Sequence, residues 1–359
     1  MNSTAAGNGK KELKRIMDIE LLRERAKIIR GVRSFFDKRG YLETDTPLLA
    51  PDLIPESCLE VFETFLLPPE GSRGVKKPYW LIPSPEIWMK RLIAQHRASL
   101  YQICKCFRNG ESRGPWHSPE FTMLEYYTIG ADYLDSLELM EELFRELDAP
   151  PDLSPPFIRI TVEEAFNAWA GFDLRKAAAE KGVMEEEARR LGLNPPPELS
   201  VQELYDLIFI HSVEPRLIQE RPVALIDYPA FVPCLARKKS RGGSGGESGG
   251  ETGGETVERW ELYARGIELA NCYTEETGPD EVRRFFENEK AKKEKTALVR
   301  HAVDDGYWKI FAAAETSGSG KSFPSCSGVA MGLDRLIMVL CGRQTLSGIL
   351  PLAPLSGNA

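Results

Sequence analysis

The first regular pattern along the chain is helical. Between residues 19 and 39, apolar side chains recur every three or four positions, with Arg, Lys and Glu between them. These apolar positions are Ile19, Leu22, Ala26, Ile29, Val32, Phe35 and Phe36. Gly40 follows where a helix commonly ends, and residues 41–49 alternate as a strand that stops near Pro47 and Pro51. We therefore predict a helix followed by a strand.

Residues 99–108 and 120–128 also alternate, and a loop rich in Gly, Pro and Ser separates them. This pattern predicts an antiparallel pair of strands. Arg108 ends the first strand, and Phe121, Glu125 and Tyr127 share one face of the second because every second side chain points the same way. If the two faces coincide, they combine a guanidinium, an aromatic ring, a carboxylate and a phenol. Such a set suits a nucleotide and an amino acid.

The remaining pattern mixes helices and strands. Residues 84–97 suit a helix, with Ser84 as N-cap, Pro85 at the first position and Glu86 in the first turn. Further helices are predicted over 133–147, much of 161–218, and 279–296. Further strands are predicted over 222–236, in a hairpin after Val257, and from Gly328 into a final helix. This mixture predicts an α+β fold with a mostly antiparallel sheet flanked by helices.

The chain reads as one large domain with two insertions. We predict an N-terminal tail over residues 1–18 and a catalytic domain over residues 19–359. Within that domain, residues of about 150–220 form a helical insertion. Residues 240–256 are rich in Gly, Ser and Glu, cannot pack a core, and are predicted to form a flexible insertion.

Composition excludes several classes of protein. The 359 residues carry 46 Lys and Arg against 54 Asp and Glu, and this acidic balance argues against a general nucleic-acid-binding protein. No apolar stretch approaches the roughly 20 residues that span a bilayer, and the N-terminus lacks the apolar segment of a secretory signal. Seven scattered cysteines do not resemble a disulfide framework. We predict a soluble, cytoplasmic enzyme with no membrane partner.

Glu261 and Glu268 form a second group of candidate residues. If the hairpin turns at Ala264 and Arg265, the two carboxylates are cross-strand partners, and like charges placed directly opposite require a cation between them. Mg²⁺ bound together with substrate phosphates would supply that cation. If the turn lies at Arg265 and Gly266, the register changes and the two carboxylates no longer lie opposite each other. Both alternatives remain open.

Three motifs occur in the order found in class II aminoacyl-tRNA synthetases. Residues 40–49 resemble the first motif, which forms a dimer interface in that family, and residues 107–125 resemble the second. Residues 332–335, with the sequence Gly-Leu-Asp-Arg, resemble the third. The resemblance runs from about residue 19 to residue 351 and is greatest to the lysyl-tRNA synthetase branch. It implies the class II catalytic fold, the cofactors ATP and Mg²⁺, and a homodimer.

The resemblance also implies roles for single residues. Arg108 and Arg335 match catalytic arginines that contact the phosphates of ATP, and Glu261 and Glu268 match the metal site. The residues that match substrate-binding positions are Ser84, Pro85, Glu86, Tyr127, Asn271, Glu275 and Ala330. The residues that match ATP-binding positions are Arg108, Asn109, Gly110, His117, Ser118, Phe121, Glu268, Leu269, Gly332 and Arg335.

Within this class, the chain resembles the truncated lysyl-tRNA synthetase paralogues that modify elongation factor P. About 18 residues precede the first motif, where lysyl-tRNA synthetases carry an anticodon-binding domain, and Ala330 stands where synthetases have glycine. The resemblance implies that lysine or (R)-β-lysine is activated with ATP as an aminoacyl-adenylate and joined to a lysine side chain of elongation factor P, without tRNA. The alternatives are a free-standing synthetase that charges tRNA or another small acceptor, and an inactive regulatory paralogue.

Departures from the family pattern concern the ATP site. The family has Arg-Asn-Glu where this chain has Arg108, Asn109 and Gly110, and the following loop is one residue longer. Glu111 is therefore a candidate to replace the missing carboxylate. Ser118 stands where the family has asparagine, which gives a shorter hydrogen-bonding side chain. These differences affect the geometry of ATP binding rather than the class of reaction.

Overall fold

The computed structural model describes residues 18–71, 74–111, 114–239, 255–312 and 322–351. The predicted tail, apart from Asp18, and residues 240–254 of the predicted flexible insertion lie outside the described residues. The helices are α1 (Ile19–Lys38), α2 (Glu86–His96), α3 (Tyr133–Glu146), α4 (Val162–Ala165), α5 (Leu174–Ala179), α6 (Lys181–Arg190), α7 (Val201–Ile208), α8 (Pro279–Thr296) and α9 (Leu333–Leu340). The strands are β1 (Leu42–Glu43), β2 (Leu49–Ala50), β3 (Phe62–Leu66), β4 (Lys77–Leu81), β5 (Leu100–Phe107), β6 (Glu120–Ile129), β7 (Ile158–Thr161), β8 (Val223–Pro229), β9 (Thr256–Ala264), β10 (Ile267–Thr274) and β11 (Cys326–Gly332).

The chain divides into two compact units. The first is formed by Met1–Ile129, Thr277–Pro324 and Ala330–Ala359, and the second by Gly130–Glu276 and Ser325–Val329. In the first unit, β1 pairs in parallel with β5, and β5 pairs antiparallel with β6. Helix α1 packs its apolar stripe inward, and Phe36 stacks on Tyr101 of β5 with ring centroids 4.9 Å apart.

The first unit also contains a small antiparallel sheet in the order β2, β4, β3. Its core is formed by buried apolar side chains from these strands and from the loop between β2 and β3. These side chains are Ala50, Leu53, Val61, Trp80 and Ile82. Glu289 and Lys293 of α8 hydrogen-bond to the same loop.

The second unit is built on four strands and a helical segment. Strands β7 and β8 pair in parallel, whereas β8 with β9 and β9 with β10 pair antiparallel. Helices α4 to α7 supply a core of their own, in which Phe166 stacks on Tyr205 with centroids 5.1 Å apart. Leu225 and Tyr228 of β8 belong to this core, so the helical segment packs directly on the strands.

The predicted α+β class, with mostly antiparallel strands and flanking helices, is confirmed. Helix α8 covers the predicted residues 279–296. Helix α2 begins at Glu86, two residues later than predicted, although Ser84 Oγ still accepts a hydrogen bond from the Glu86 N–H at 3.0 Å. Strand β8 ends at Pro229, which the predicted strand over 222–236 overran. Among the described residues, no helix combines the length and apolar character needed to cross a membrane.

Candidate active site

The predicted site residues lie in two groups, one in each unit. The first group is centred on two carboxylates of the first unit. Glu125 on β6 accepts hydrogen bonds from Ser84 Oγ at 2.6 Å and from the Tyr127 hydroxyl at 2.7 Å. Glu86, in the first turn of α2, accepts from Lys90 Nζ at 2.5 Å, one helical turn further on. The structure thus brings Ser84, Glu86 and Tyr127 together around Glu125. Pro85 lies between Ser84 and Glu86 in the sequence.

Glu125 is the central residue of this group; it is the carboxylate of the predicted strand face, although the family resemblance assigned it no role. Its side chain is 2% exposed, and burial together with repulsion from Glu86 raises its pKa to about 7. A buried carboxyl group that titrates near neutral pH is a frequent mark of a functional site. The signal was present, since Glu125 alternates with Phe121 and Tyr127 along the strand, but its burial could not be seen in the sequence.

The predicted coincidence of two strand faces is confirmed by the register of β5 and β6. Cys106 lies opposite Phe121, and Gln102 lies opposite Glu125. Arg108 follows β5 directly, and its guanidinium carbon lies 5.3 Å from the centroid of the Phe121 ring. An arginine and an aromatic ring at this separation form a surface on which a planar base can stack.

The loop between β5 and β6 begins with a fixed segment. The Asn109 N–H donates to the Glu60 carbonyl at 2.9 Å, and the Asn109 side chain accepts from the Gly110 N–H at the same distance. Gly110 has a φ of +70°, in the region where glycine is favoured, so a glutamate there would be strained in this conformation. Glycine therefore suits this backbone better than the glutamate of the family pattern.

The end of the same loop carries His117 and Ser118, which are both partly buried. Burial, followed by the positive charge of Arg335, lowers the pKa of His117, so its ring is neutral at pH 7. Arg335 Nε also donates to the Trp116 carbonyl at 3.2 Å. The loop and the start of α9 therefore bring Arg335 and His117 together, and Arg108 adds to the positive field at the histidine.

Helix α9 is anchored below this cluster by a buried ion pair. Asp334 is 2% exposed and accepts from Arg25 Nη1 at 2.6 Å and from the Thr122 N–H at 2.6 Å. Gly332 caps the start of α9, and Ala330 lies two residues earlier on β11, partly buried. The ion pair thus ties α9 to α1, and the hydrogen bond from Thr122 ties α9 to β6 at the residue next to Phe121.

The second group lies on the hairpin of β9 and β10. The turn is at Arg265 and Gly266, which have φ values of +53° and +75°, and Ala264 pairs with Ile267. The alternative with a turn at Ala264 and Arg265 is therefore wrong: Glu268 lies opposite Tyr263, not opposite Glu261. An irregularity between Glu268 and Ala270 then shifts the register.

Because of this shift, Asn271 is the cross-strand partner of Glu261. Both residues are held by Arg259, which donates to Glu261 Oε1 at 2.5 Å and to Asn271 Oδ1 at 3.0 Å. Glu261 Oε2 accepts from the hydroxyls of Tyr228 and Tyr263 at 2.6 and 2.7 Å. The carboxylate is therefore oriented by a partly buried cation and two phenols.

Two other predicted residues of this group are buried. Leu269 is 2% exposed and sits at the register shift of β10. Glu275 is also 2% exposed, and its N–H donates to the Cys326 carbonyl at 2.9 Å. The hairpin and the segment after it therefore hold all five predicted residues of the second unit in ordered backbone.

The donor set of Glu261 still fits a magnesium ion. Each carboxylate oxygen can accept at two positions, so Oε2 is saturated by the two tyrosines while Oε1 retains one free position. Mg²⁺ bound with substrate phosphates uses only one or two protein carboxylates and keeps several waters. Within the part of the chain that the structure describes, no set of three or more His, Cys, Asp or Glu forms a self-sufficient metal site.

Comparison with known proteins identifies the family of the chain. A family model described as tRNA synthetases class II (D, K and N) matches residues 12–353, and the chain belongs to this family. It is therefore an ATP-dependent aminoacyl ligase of the class II synthetase type, as the motifs predicted. The chain is 34% identical to the elongation factor P–(R)-β-lysine ligase of Avibacterium paragallinarum over 332 residues, 92% of this chain and 94% of the relative. The ligase of the same name from Proteus mirabilis is 33% identical, over 92% of this chain and 93% of the relative. That from Vibrio vulnificus is 34% identical, over 90% of this chain and 92% of the relative.

Proposed function

We propose that the protein activates (R)-β-lysine or lysine with ATP and transfers the aminoacyl group to a lysine side chain of elongation factor P. The names of its relatives support this acceptor and this amino acid. The structural observation that carries the proposal is the carboxylate pair Glu86 and Glu125 in one cluster with Ser84 and Tyr127. Two carboxylates at one site favour a ligand with two ammonium groups.

In the first step, a carboxylate oxygen of the amino acid attacks the α-phosphorus of ATP. An oxygen–phosphorus bond forms while the bond to the bridging oxygen of the β-phosphate breaks, so pyrophosphate leaves and an aminoacyl-adenylate remains. Arg108 and Arg335 stabilise the negative charge on the phosphate oxygens, and Phe121 stacks on adenine. Asn109, Gly110, His117, Ser118 and Gly332 surround the nucleotide. Because these groups only orient and stabilise, no covalent enzyme intermediate is needed.

Glu261 and Glu268 are the residues that we propose to hold Mg²⁺, which supplies positive charge to the phosphate oxygens when bound. Asn271 and Glu275 contribute polar contacts to the substrate, and Leu269 contributes backbone contacts to ATP. Ala330 alters the amino-acid pocket, because its methyl group stands where synthetases have glycine. In the second step, a neutral lysine amine of the acceptor attacks the carbonyl carbon of the adenylate. The bond from that carbon to the phosphate oxygen breaks, AMP leaves, and the amine proton passes to solvent.

The proposal includes the setting in which the enzyme works. All seven cysteines are free thiols, which agrees with a reducing cytoplasm. Leu42 and Leu49, in the segment that resembles the family's dimer interface, are 58% and 48% exposed. Exposed leucines on short strands support a homodimer through this segment. The acidic net charge of −8 speaks against tRNA as the acceptor.

Intact-mass analysis of elongation factor P from the same organism tests the proposal. The factor is incubated with the protein, ATP, Mg²⁺ and (R)-β-lysine, with bulk tRNA present as a competing acceptor. We expect a mass increase of one lysyl group on the factor and no aminoacylation of tRNA. Charged tRNA beside an unmodified factor would support a free-standing synthetase instead, and no product on either would support an inactive paralogue.

A further inference from the structure

A third carboxylate, Glu56, lines the cleft beside the proposed amino-acid site. The cleft is small and opens to solvent. Its wall combines apolar side chains with three polar ones. The lining residues are Leu53, Ile54, Pro83, Ile87, Glu56, Ser84 and Glu86. Glu56 comes from the loop between β2 and β3 and lies outside the three family motifs at residues 40–49, 107–125 and 332–335.

Glu56 differs from its acidic neighbours in how its charge is compensated. Glu86 is paired with Lys90, and Glu125 accepts two hydroxyl hydrogen bonds. The Glu56 carboxylate, by contrast, takes part in none of the hydrogen bonds or ion pairs found among the described residues. Burial and repulsion from Glu86 raise its pKa to about 7, while Arg108, Lys293 and Lys90 act in the opposite direction.

The backbone on both sides of Glu56 is fixed by helix α8. Lys293 Nζ donates to the carbonyl oxygens of Glu56 and Leu59 at 2.8 and 2.6 Å. Glu289 Oε2 accepts from the N–H and the hydroxyl of Ser57 at 3.0 and 2.6 Å. The side chains of Glu289 and Lys293, which are 5% and 6% exposed, thus hold this short loop in place. A carboxylate on such a support loses little backbone freedom when a ligand binds.

We infer that Glu56 is a specificity-determining residue that binds one of the two ammonium groups of the substrate. This inference rests on the proposed function and names a contact within it. In the partly apolar cleft an ammonium–carboxylate contact is stronger than in water. Glu86 already has Lys90 as a partner, so Glu56 is the cleft carboxylate with a charge left to neutralise. An amino acid with one ammonium group would leave Glu56 without a partner and would bind weakly.

The variant Glu56→Gln tests this contact, and Glu63→Gln is the matched control because Glu63 is exposed on the strand that follows the loop. ATP–pyrophosphate exchange is measured with (R)-β-lysine, with lysine, and with norleucine, which lacks the terminal ammonium group. We expect Glu56→Gln to raise KM for the diammonium substrates about tenfold or more, with kcat and KM for ATP changed less than about twofold. Glu56→Asp should be intermediate, and norleucine exchange should not change.

Three results would overturn the inference. An unchanged KM for lysine-type substrates would show that Glu56 does not bind them. A parallel rise in KM for ATP would show that Glu56 acts through Arg108 instead. An equal rise in KM for norleucine would show that the substitution affects the whole pocket. Calorimetric titration of the wild-type protein with (R)-β-lysine and lysine separates this inference from the proposed function. Binding without exchange contradicts the proposed reaction alone, and absence of binding overturns both.

Discussion

Replacing Glu125 by glutamine gives a prediction whose magnitude can be worked from the structure. Burial and the nearby Glu86 raise the pKa of Glu125 from 4.5 to about 7. The unfolded chain releases this proton near pH 4.5 and the native state near pH 7, so stability falls as pH rises between those values. A tenfold change in a proton-binding constant corresponds to about 1.4 kcal/mol, which makes the loss about 3 kcal/mol above pH 8. Glutamine cannot ionise, so the variant avoids this loss.

Part of this loss has already occurred at pH 5, so we expect the stability of Glu125→Gln relative to wild type to be about 2 to 3 kcal/mol greater at pH 8.5 than at pH 5. The hydrogen bond lost at Ser84 or Tyr127 costs about 1 kcal/mol at both pH values and cancels in this comparison. Urea unfolding at the two pH values measures the difference, with Glu120→Gln, an exposed glutamate on the same strand, as control. A change of less than about 1 kcal/mol between the two pH values would refute the argument that the native state strains this carboxylate.

Two further variants separate catalytic from structural roles. Arg108→Ala should lower the rate of ATP–pyrophosphate exchange by about 10²-fold or more, because it removes charge stabilisation at the phosphates. Circular dichroism should show an intact fold. Near-normal exchange would contradict the catalytic role of Arg108. Arg259→Met should lower the free energy of unfolding by about 3 kcal/mol, since it leaves the Glu261 carboxylate buried without its cation. Adding Glu261→Gln should recover part of that loss, which a double-mutant cycle in urea unfolding measures; strict additivity would disprove the coupling.

Much of the fold follows from periodicity alone. The apolar spacing of residues 19–38 and the glycine after it predict α1, and Gly40 indeed has a φ of +75°. The alternation around the loop after Phe107 predicts that β5 and β6 share a face, because a two-residue side-chain period fixes which residues can meet. Local pattern therefore predicts the elements that carry Arg108 and Phe121, although it does not predict how deeply each side chain is buried.

The hairpin that carries Glu261 shows where such prediction fails. Two turns, one residue apart, fit the same apolar pattern, and each gives Glu261 a different partner. The chosen turn has positive φ at both central residues, the type I′ geometry that favours glycine at the second position, and Gly266 supplies it. That glycine was a usable signal. No sequence signal marked the register shift after Glu268, and this shift brings Asn271 opposite Glu261.

The first-unit cluster also explains how a protein keeps several carboxylates in one place while no substrate is bound. Burying an uncompensated charge is costly, and such groups bind a proton or pair with a neighbour instead. Glu86 pairs with Lys90, which is fully buried, while the pKa values of Glu56 and Glu125 rise to about 7. Near neutral pH the empty site thus carries only part of its potential negative charge, and an arriving cation favours the ionised forms of both carboxyl groups. A ligand without that second positive charge gains none of this stabilisation, so we expect the protonation of the empty site to favour lysine-like amino acids.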